Sequence, residues 1–488
     1  MSVMALSSRI LNGMLSISRH KFALGAFFIP LLIRSIPEFL AGPYPVGWDV
    51  IAYYVPNVFD IASGSLNLWG IIASTPVMYG IVVPIYSVTR ISPILIFKIL
   101  GPLLYGFLGW SLFTFCKRRL QWPDSKSFYA TLFVSAYFVV MRISWDAYRM
   151  ELGLAFLLLA EALVGGVTSR RLDLRRAGLL SLAVLSNQLV AVIVVGIVGI
   201  EILRSLGRLN FRFVSQRIPP VAFFLLIVYA TLQTPLATGL GVVGSGINAA
   251  VFPEVSVFLL YAYACVIPLL LLGLKARQRS VFTSWVGICG VGIVLSILPG
   301  HVFQDIGYRW VLLLSIPFLI LAFEGYSRLR AMISRLPVIW AKSLQVTVIV
   351  GLAISAGLFA VLPAQTASPF YTAFGQFIPS SMVQSSLPSS DYQNVANAIA
   401  WINTHTPSDS ALITHEAFYG WARAYISPGV TVLNCYLLSP NSALGQAEIY
   451  THVFTVWWVQ GSGWFQASTP SGARPIATFG DLVVYQYR

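Results

Sequence analysis

Apolar stretches recur along the chain from residue 22 to residue 363, and short basic clusters separate them. Stretches of this kind are long enough to cross a bilayer as helices. The pattern predicts a polytopic α-helical membrane protein with about eleven membrane-spanning helices. The predicted spans cover residues 22–40, 93–116, 127–141, 152–168, 177–186, 188–203, 218–236, 256–274, 281–299, 310–326 and 343–362.

Two segments near the N-terminus do not fit this pattern of full crossings. Residues 42–75 are rich in glycine and proline and form the predicted first external loop, in which 55–69 is typical of an interfacial helix. The stretch 76–90 is broken by Pro84, and a crossing there would place the basic residues 117–119 outside. We therefore interpret 76–90 as a re-entrant or interfacial segment.

The last part of the chain, residues 364–488, has a different character. Its apolar positions indicate helices and strands of a small α/β domain rather than further spans. The predicted helices are 391–403, 416–425 and 442–459, and the predicted strands are 411–414, 430–437 and 482–485. The chain thus divides into a transmembrane domain, 1–363, and an extracytoplasmic α/β domain, 364–488.

Composition and charge agree with an integral protein of the plasma or cell membrane. Of 488 residues, 57% are hydrophobic and 10% are charged, which excludes a disordered chain and an ordinary soluble enzyme. The net charge of +14 arises in basic clusters of the membrane part, whereas residues 364–488 carry three basic and five acidic side chains. By the positive-inside rule the clusters and the N-terminus are cytoplasmic and the C-terminal domain is extracytoplasmic. The predicted partners are membrane lipids, and nucleic acid is not expected as a partner.

The first candidate for chemistry is the external sequence Gly47-Trp48-Asp49, followed by Tyr53 and Tyr54. A carboxylate at a membrane interface between aromatic side chains loses solvent and can act as a general base on a hydroxyl. The alternative is a solvated loop aspartate or a helix cap.

The second candidate is the segment 142–151, which holds Asp146, Arg149 and Glu151 at a predicted external turn. Two cations and two anions within ten residues can bind phosphate, a metal ion or each other. The alternative is a salt-bridged turn between two helices. Asp146 and Arg149 are three residues apart and would share a face of a helix.

The third candidate is the segment with His301, Asp305, Tyr308 and Arg309 at the external end of a predicted span. An arginine that enters the membrane needs an anion, which a lipid phosphate would supply. The alternative is a snorkelling arginine among lipid headgroups. A polar hinge at Asn187 and Gln188 interrupts another pair of spans and is typical of a lined cavity.

This layout resembles the GT-C superfamily of integral-membrane glycosyltransferases over nearly the whole chain. The resemblance is carried by Gly47-Trp48-Asp49 after the first span, Asp146 in a second external turn, the hinge at Asn187, Arg309 in a late span and a small external domain. The family uses the first-loop aspartate as catalytic base, which corresponds here to Asp49.

The sequence departs from the family pattern at two positions. Trp457-Trp458 is followed by Val459 rather than by the aspartate of the Trp-Trp-Asp motif of oligosaccharyltransferases. Asp146 is followed by Ala147 and Tyr148, so the second turn lacks a full Asp-x-Asp or Asp-x-Glu motif. Both departures argue against metal-dependent transfer of a whole glycan. The sequence establishes no cofactor, and it leaves open a divalent cation, Mg²⁺ or Mn²⁺.

The hypothesis that follows is transfer of a sugar, with inversion, from a polyprenyl-phosphate-linked donor to a hydroxyl of an extracytoplasmic glycan, lipid or protein. In it Asp49 is the base, and Asp146 with Glu151 orients the acceptor or holds a metal ion. The expected donor-phosphate ligands are Arg309, His301 and Arg149, and the expected pocket lining is Trp48, Tyr53, Tyr54, Asn187, Gln188 and Asp305.

Two other classes of function remain open at the sequence level. A transporter or flippase of lipid-linked substrates would use the same intramembrane polar residues as a substrate path, but it favours inverted repeats and a small external part. A non-catalytic membrane sensor or assembly protein would use the C-terminal domain as a binding module, with Asp49 as a helix cap.

Overall fold

The computed structural model describes residues 3–164, 170–204, 217–234, 251–274, 279–297, 307–333, 338–361, 387–435, 438–459 and 470–488. The part up to Val361 is helical, and the C-terminal part is built on a sheet. The predicted boundary between the two domains falls in 362–386, outside the described residues. The division at residues 363 and 364 therefore stays a prediction.

The first part consists of seventeen α-helices among the described residues. A five-residue π-helix, Val50–Tyr54, leads directly into the second α-helix. The helices are α1 (Val3–Leu40), α2 (Val55–Ala62), α3 (Leu68–Ala73), α4 (Val77–Thr89), α5 (Pro93–Arg118), α6 (Asp124–Ser135), α7 (Phe138–Asp146), α8 (Tyr148–Ala162), α9 (Arg170–Ser186), α10 (Gln188–Arg204), α11 (Ile218–Gln233), α12 (Val251–Tyr263), α13 (Ile267–Gly273), α14 (Arg279–Ile297), α15 (Gly307–Leu313), α16 (Ser315–Ile333) and α17 (Val338–Val361).

Four helical stretches of the described residues are long and apolar enough to cross a membrane, and up to six if each of two bent pairs is one span. The four are His20–Leu40, Pro93–Arg118, Gly307–Ile333 and Val338–Gly357. They overlap predicted spans, as expected for a membrane protein. The total of eleven crossings and the sidedness of the termini stay predictions.

Both bent pairs fall where the hydropathy pattern predicts straight spans. The pair α6 and α7 is bent by 69° and the pair α12 and α13 by 77°. Hydropathy sums apolar side chains and carries no information on helix direction, so a bend inside an apolar stretch is invisible to it. The predicted interfacial helix 55–69 is also two shorter helices, α2 and α3, because the polar residues 63–67 interrupt it.

The bundle core forms where small residues allow close approach of neighbouring helices. Helix α5 packs between α1 and α8, and α8 packs on α9. Helix α13 crosses α16 at two glycines: a Cβ at Gly273 would meet the carbonyl oxygen of Leu321, and one at Gly325 would meet that of Leu269. Any larger residue at either glycine would separate the two helices.

The C-terminal part is a five-stranded mixed sheet with two helices packed on it. The elements are α18 (Tyr392–His405), β1 (Ser410–Thr414), α19 (Glu416–Tyr425), β2 (Val430–Asn434), β3 (His452–Trp458), β4 (Arg474–Phe479) and β5 (Leu482–Gln486). The strand order is β2-β1-β3-β5-β4. Strand β1 runs parallel to β2 and β3, whereas β5 runs antiparallel to β3 and β4.

One sequence prediction for this domain is wrong and one strand is missed. Residues 442–459 are not a helix: the segment contains part of a 3₁₀ helix, Pro440–Ala447, followed by the central strand β3. Strand β3 is rich in β-branched and aromatic residues and is buried on both faces, so it lacks the alternation typical of a half-exposed strand. Strand β4 is an edge strand with a proline and a register shift, which hid it in the sequence.

Candidate functional site

The first loop places Asp49 by means of a glycine turn. Gly47 has φ +99°, and a Cβ on it would collide with the backbone oxygen of Trp145. Asp49 then begins the π-helix, and its side chain makes no capping hydrogen bond. The helix-cap alternative for this aspartate is therefore wrong, and the loop is fixed against the end of α7.

The second external turn is a break between α7 and α8 at Ala147. Both Arg142 terminal nitrogens donate to the carboxylate of Asp146, at 2.6 and 2.9 Å, and both side chains are buried. Asp146 therefore pairs within its own helix, and the break separates it from the helix that carries Arg149. The salt-bridged turn that the sequence offered as an alternative is present, and the cation in it is Arg142.

Arg149 is held by the segment before α4 and by an aromatic ring. Its Nη1 donates to the carbonyl oxygen of Ser74 at 2.8 Å and to Oγ1 of Thr75 at 3.4 Å. The guanidinium lies 5.3 Å from the ring centroid of Tyr54. Its Nε is buried without a hydrogen-bond partner among the described residues. The side chain is thus fixed in position with donor capacity to spare.

Arg309, near the start of α15, is the second cation that meets no carboxylate directly. Its Nε donates to the hydroxyl of Tyr308 at 2.8 Å. Among the described residues it forms no ion pair, and its guanidinium lines a cavity rather than the outer surface of the bundle. This position favours the anion-binding interpretation over a snorkelling arginine.

These side chains line one cavity of about 190 Å³. It lies where the first loop, the break between α7 and α8, the hinge between α9 and α10, helix α15 and the start of α19 meet. The cavity lining consists of Trp48, Asp49, Tyr53, Tyr54, Arg142, Asp146, Ala147, Arg149, Met150, Asn187, Tyr308, Arg309, Leu312 and Glu416.

The electrostatics of the cavity favour a proton acceptor at Asp49. Burial is the largest effect and raises the pKa of Asp49 to about 6, with the negative charge of Asp146 acting in the same direction. Arg309, Arg149 and Arg142 oppose this rise, in that order. A carboxylate with a pKa near 6 is mostly ionised at neutral pH and remains a stronger base than an ordinary aspartate.

Two further side chains of the cavity, Tyr53 and Glu416, also have a raised pKa. Burial and the neighbouring Asp49 raise the pKa of Tyr53, so its phenol remains a hydrogen-bond donor. Burial also raises the pKa of Glu416, which comes from the first turn of α19. Both groups line the cavity near the start of α19.

The sheet domain is docked directly on the segment that carries Asp49. Gly420 of α19 sits so close to the π-helix that a Cβ would meet the carbonyl oxygen of Ile51. Arg423 forms an ion pair with Asp60 of α2 at 2.7 Å, and the hydroxyl of Tyr44 donates to Oε1 of Gln393 at 2.7 Å. These contacts fix the sheet domain against the π-helix and α2.

Four sequence candidates are not part of the described cavity. Glu151 is fully buried beneath it, and neither carboxylate oxygen has a hydrogen-bond partner among the described residues. Gln188 donates its side-chain amide to the carbonyl oxygen of Ala73 at 2.8 Å. His301 and Asp305 lie outside the described residues. The structure therefore does not bring Glu151 together with Asp146 in the cavity, because α8 turns Glu151 into the protein core.

Of three further polar residues of the cavity, two belong to candidate segments of the sequence and one was missed. Arg142 begins the candidate segment 142–151, and its spacing of four from Asp146 within one helix was the signal for their pairing. Tyr308 belongs to the third candidate segment, directly before Arg309. Glu416 carries no sequence signal beyond its place at the start of a helix, because only the docking of α19 brings it to the cavity.

The described carboxylates of the cavity do not make a metal site. No group of three or more His, Cys, Asp or Glu side chains among the described residues is arranged to hold a metal ion. Both carboxylate oxygens of Asp146 accept hydrogen bonds from Arg142. The positive charges of Arg142, Arg149 and Arg309 in the lining also repel a metal cation. The donor set of the described residues therefore does not fit Mg²⁺ or Mn²⁺.

The fold is similar to that of a structure titled as arabinofuranosyltransferase AftD from mycobacteria, determined by single-particle cryo-electron microscopy. The TM-score is 0.55 at 13% sequence identity, and the match covers 96% of this chain and 40% of that chain. At this identity the similarity concerns the fold alone, and this chain spans less than half of that protein's length. No family model matches the sequence, and no curated protein sequence matches it.

Proposed function

We propose that this protein is a membrane glycosyltransferase that moves a sugar from a polyprenyl-phosphate-linked donor to a hydroxyl of a glycan, lipid or protein acceptor. One observation carries the proposal: the carboxylate Asp49, with its raised pKa, shares one cavity with Arg149 and Arg309, which pair with no described carboxylate. A base and two anion-binding cations are what such a transfer requires. The similarity in fold to an arabinofuranosyltransferase supports the same class.

Asp49 acts as the general base of the transfer. Its carboxylate takes the proton of the acceptor hydroxyl while the oxygen forms a bond to the anomeric carbon and the bond from that carbon to the donor phosphate breaks. A single displacement of this kind inverts the anomeric configuration. The raised pKa of Asp49 makes proton acceptance more favourable than at an ordinary aspartate.

Arg149 and Arg309 bind the donor phosphate and stabilise the negative charge that grows on it as the bond breaks. Both guanidinium groups are held in place before substrate arrives, the first by Ser74 and the second by Tyr308. Fixed donors cost little reorganisation at the moment of reaction, which makes their stabilisation of developing charge effective. The isoprenoid tail of the donor lies among the apolar helices.

The Arg142–Asp146 pair positions the turn and tunes Asp49. Its two hydrogen bonds close the end of α7 against which Gly47 packs. The negative charge of Asp146 raises the pKa of Asp49. In this assignment Asp146 acts through Asp49 and does not touch the reacting atoms.

Glu416 and Tyr53 bind the acceptor on the side of the sheet domain. Both offer hydrogen bonds to sugar hydroxyls, and the domain that carries Glu416 closes the cavity from that side. Acceptor recognition by the sheet domain is consistent with its docking on the π-helix after Asp49.

The test uses purified full-length protein, in nanodiscs to measure consumption and in sealed vesicles to measure transport, with a panel of radiolabelled polyprenyl-phosphate sugars and an extract of envelope acceptors. We expect release of polyprenyl phosphate together with labelled product from one donor of the panel. A glycosyltransferase consumes the donor, whereas a transporter or flippase moves it unchanged across a sealed vesicle. Movement without consumption, or no interaction with any donor, would refute the proposal.

A further inference from the structure

We propose that the helix ends opposite the candidate site bind an anionic phospholipid, whose phosphate lies against Arg119 and Arg204 and whose acyl chain lies in an apolar groove between α10 and α14. This site is separate from the candidate functional site. Asn187 lines the first cavity just before α10, and Arg204 ends that helix. Seventeen residues separate the two positions, or roughly 25 Å at 1.5 Å per residue.

The first observation is an excess of positive charge at this end of the bundle. Glu161 meets Arg176 at 3.1 Å and Arg119 at 3.8 Å. Glu201 meets Arg176 and Arg217, each at 2.7 Å.

Together with Arg204, the cluster holds four arginines against Glu161, Glu201 and the neighbouring Asp173, an excess of one positive charge. Arg204 forms no ion pair within the described part of the chain, and the buried Nε of Arg119 has no hydrogen-bond partner there. Guanidinium groups with spare donors near a lipid bilayer are matched by phosphate oxygens.

The second observation is a small cavity inside this cluster. It measures about 70 Å³ and has both polar and apolar walls. Arg119, Arg204 and both glutamates line it together with Ser284 and aromatic side chains. A headgroup phosphate placed here meets Arg119 and Arg204, the two arginines of the cluster that line this cavity.

The third observation is an apolar groove that begins at the same place. Its volume is about 460 Å³, and Arg204 and Ser284 line both the groove and the small cavity. From there the groove follows α10 and α14 toward Trp310, between walls that are almost entirely apolar. Several groove residues are exposed on the bundle surface, such as Val291, which is 60% exposed. A groove with a cationic end and apolar walls matches one phospholipid molecule in both charge and polarity.

The sidedness predicted from the basic clusters fits the same ligand. The positive-inside rule places this end of the helices at the cytoplasmic leaflet, where anionic lipids are concentrated and attract arginine side chains. The competing occupant is the isoprenoid tail of a lipid-linked donor that enters the groove at Trp310. Such a donor has its phosphate at the opposite end of α10 and does not depend on Arg204.

The experiment measures lipid retention by native mass spectrometry on full-length protein released from nanodiscs of phosphatidylcholine with phosphatidylglycerol. Two variants test the two halves of the site. Arg204→Gln removes the charge, and Gly287→Leu fills the groove at a position where an added Cβ meets nothing within 4 Å. The matched control is Arg330→Gln, an exposed arginine in the last turn of α16 that lines neither cavity.

We expect wild type and Arg330→Gln to retain phosphatidylglycerol in preference to phosphatidylcholine. Retention should fall about fivefold in Arg204→Gln, the effect of one arginine at an anionic lipid surface, and also in Gly287→Leu. Equal retention of both lipids by wild type would overturn the proposal. So would unchanged phosphatidylglycerol retention in both variants, or its displacement by added polyprenyl phosphate with no effect of Arg204→Gln.

Discussion

Removal of a negative charge near Asp49 and removal of a positive charge near it should shift the pH dependence of transfer in opposite directions. With a pKa of about 6, the Asp49 carboxyl is half ionised near pH 6. At pH 5 only roughly a tenth of it is ionised, so a reaction that needs the ionised form runs at about a tenth of its plateau rate. The acid limb of kcat/KM against pH reports this pKa in the free enzyme.

The variant Asp146→Asn should shift the acid limb to lower pH. The negative charge of Asp146 raises the pKa of Asp49, so its removal lowers that pKa, and the neighbouring positive charge of Arg142 is no longer offset by Asp146. The ratio of the rate at pH 5 to the plateau rate should therefore rise several-fold from its wild-type value of about a tenth. The plateau itself can fall, because the turn at the end of α7 loses an ion pair.

The variant Arg309→Gln should shift the acid limb to higher pH. Arg309 is the strongest of the cations that lower the pKa of Asp49. Its loss also weakens phosphate binding and lowers the plateau, but the position of the limb is read independently of its height. Glu448→Gln, at an exposed carboxylate outside the cavity, serves as the control and should leave the limb in place.

The assay is kcat/KM for the accepted donor over a range from about pH 4.5 to 8. Shifts of the limb in the same direction for both variants would refute the electrostatic reasoning. An acid limb that neither variant moves would show that another group titrates in this range and that Asp49 is not the base.

Three further predictions concern packing and binding. Gly420→Val should lower turnover at least tenfold, because the side chain pushes α19 off the π-helix and misplaces the catalytic groups; Gly445→Val, whose Cβ meets nothing within 4 Å, should retain the wild-type rate. Arg142→Ala should lower the free energy of unfolding by about 3–5 kcal/mol, because Asp146 stays buried without the arginine that pairs with it. The measurement is the Tm in detergent, which should fall. Arg149→Gln should weaken binding of polyprenyl phosphate about tenfold, measured by equilibrium binding.

Each of these has an outcome that contradicts it. Equal turnover of the two glycine variants would mean that the docking of α19 is irrelevant to the reaction. An unchanged Tm for Arg142→Ala would show that the ion pair has no structural role. Wild-type binding by Arg149→Gln would remove this arginine from the phosphate site.

Local patterns in the sequence were sufficient to predict much of the fold. The long apolar helices α5 and α17 and the hinge at Asn187 lie where hydropathy places them, since each depends only on neighbouring residues. The bends between α6 and α7 and the identity of β3 were not predictable in this way. The direction of an apolar helix depends on packing, which hydropathy does not record. Strand β3 is buried on both faces, so its sequence lacks the alternation of a half-exposed strand and can be taken for a helix.

The candidate site was predicted where charge is conspicuous in an apolar setting. Asp49, Arg149 and Arg309 are far apart in sequence, but each is a charge at the end of an apolar stretch, and they line one cavity. Glu151 shared this signal and is nevertheless in the core, because the helix rotates it away from the cavity. Glu416 was missed because its position depends entirely on how two domains pack.

The most direct test of the account compares donor binding and sugar transfer in Asp49→Asn. The substitution keeps the size of the side chain and removes its basicity. We expect the variant to bind the polyprenyl-phosphate sugar as wild type does, and transfer to fall about 10²–10⁴-fold, the usual contribution of a general base. Transfer at the wild-type rate with normal donor binding would contradict the role of Asp49 as the catalytic base.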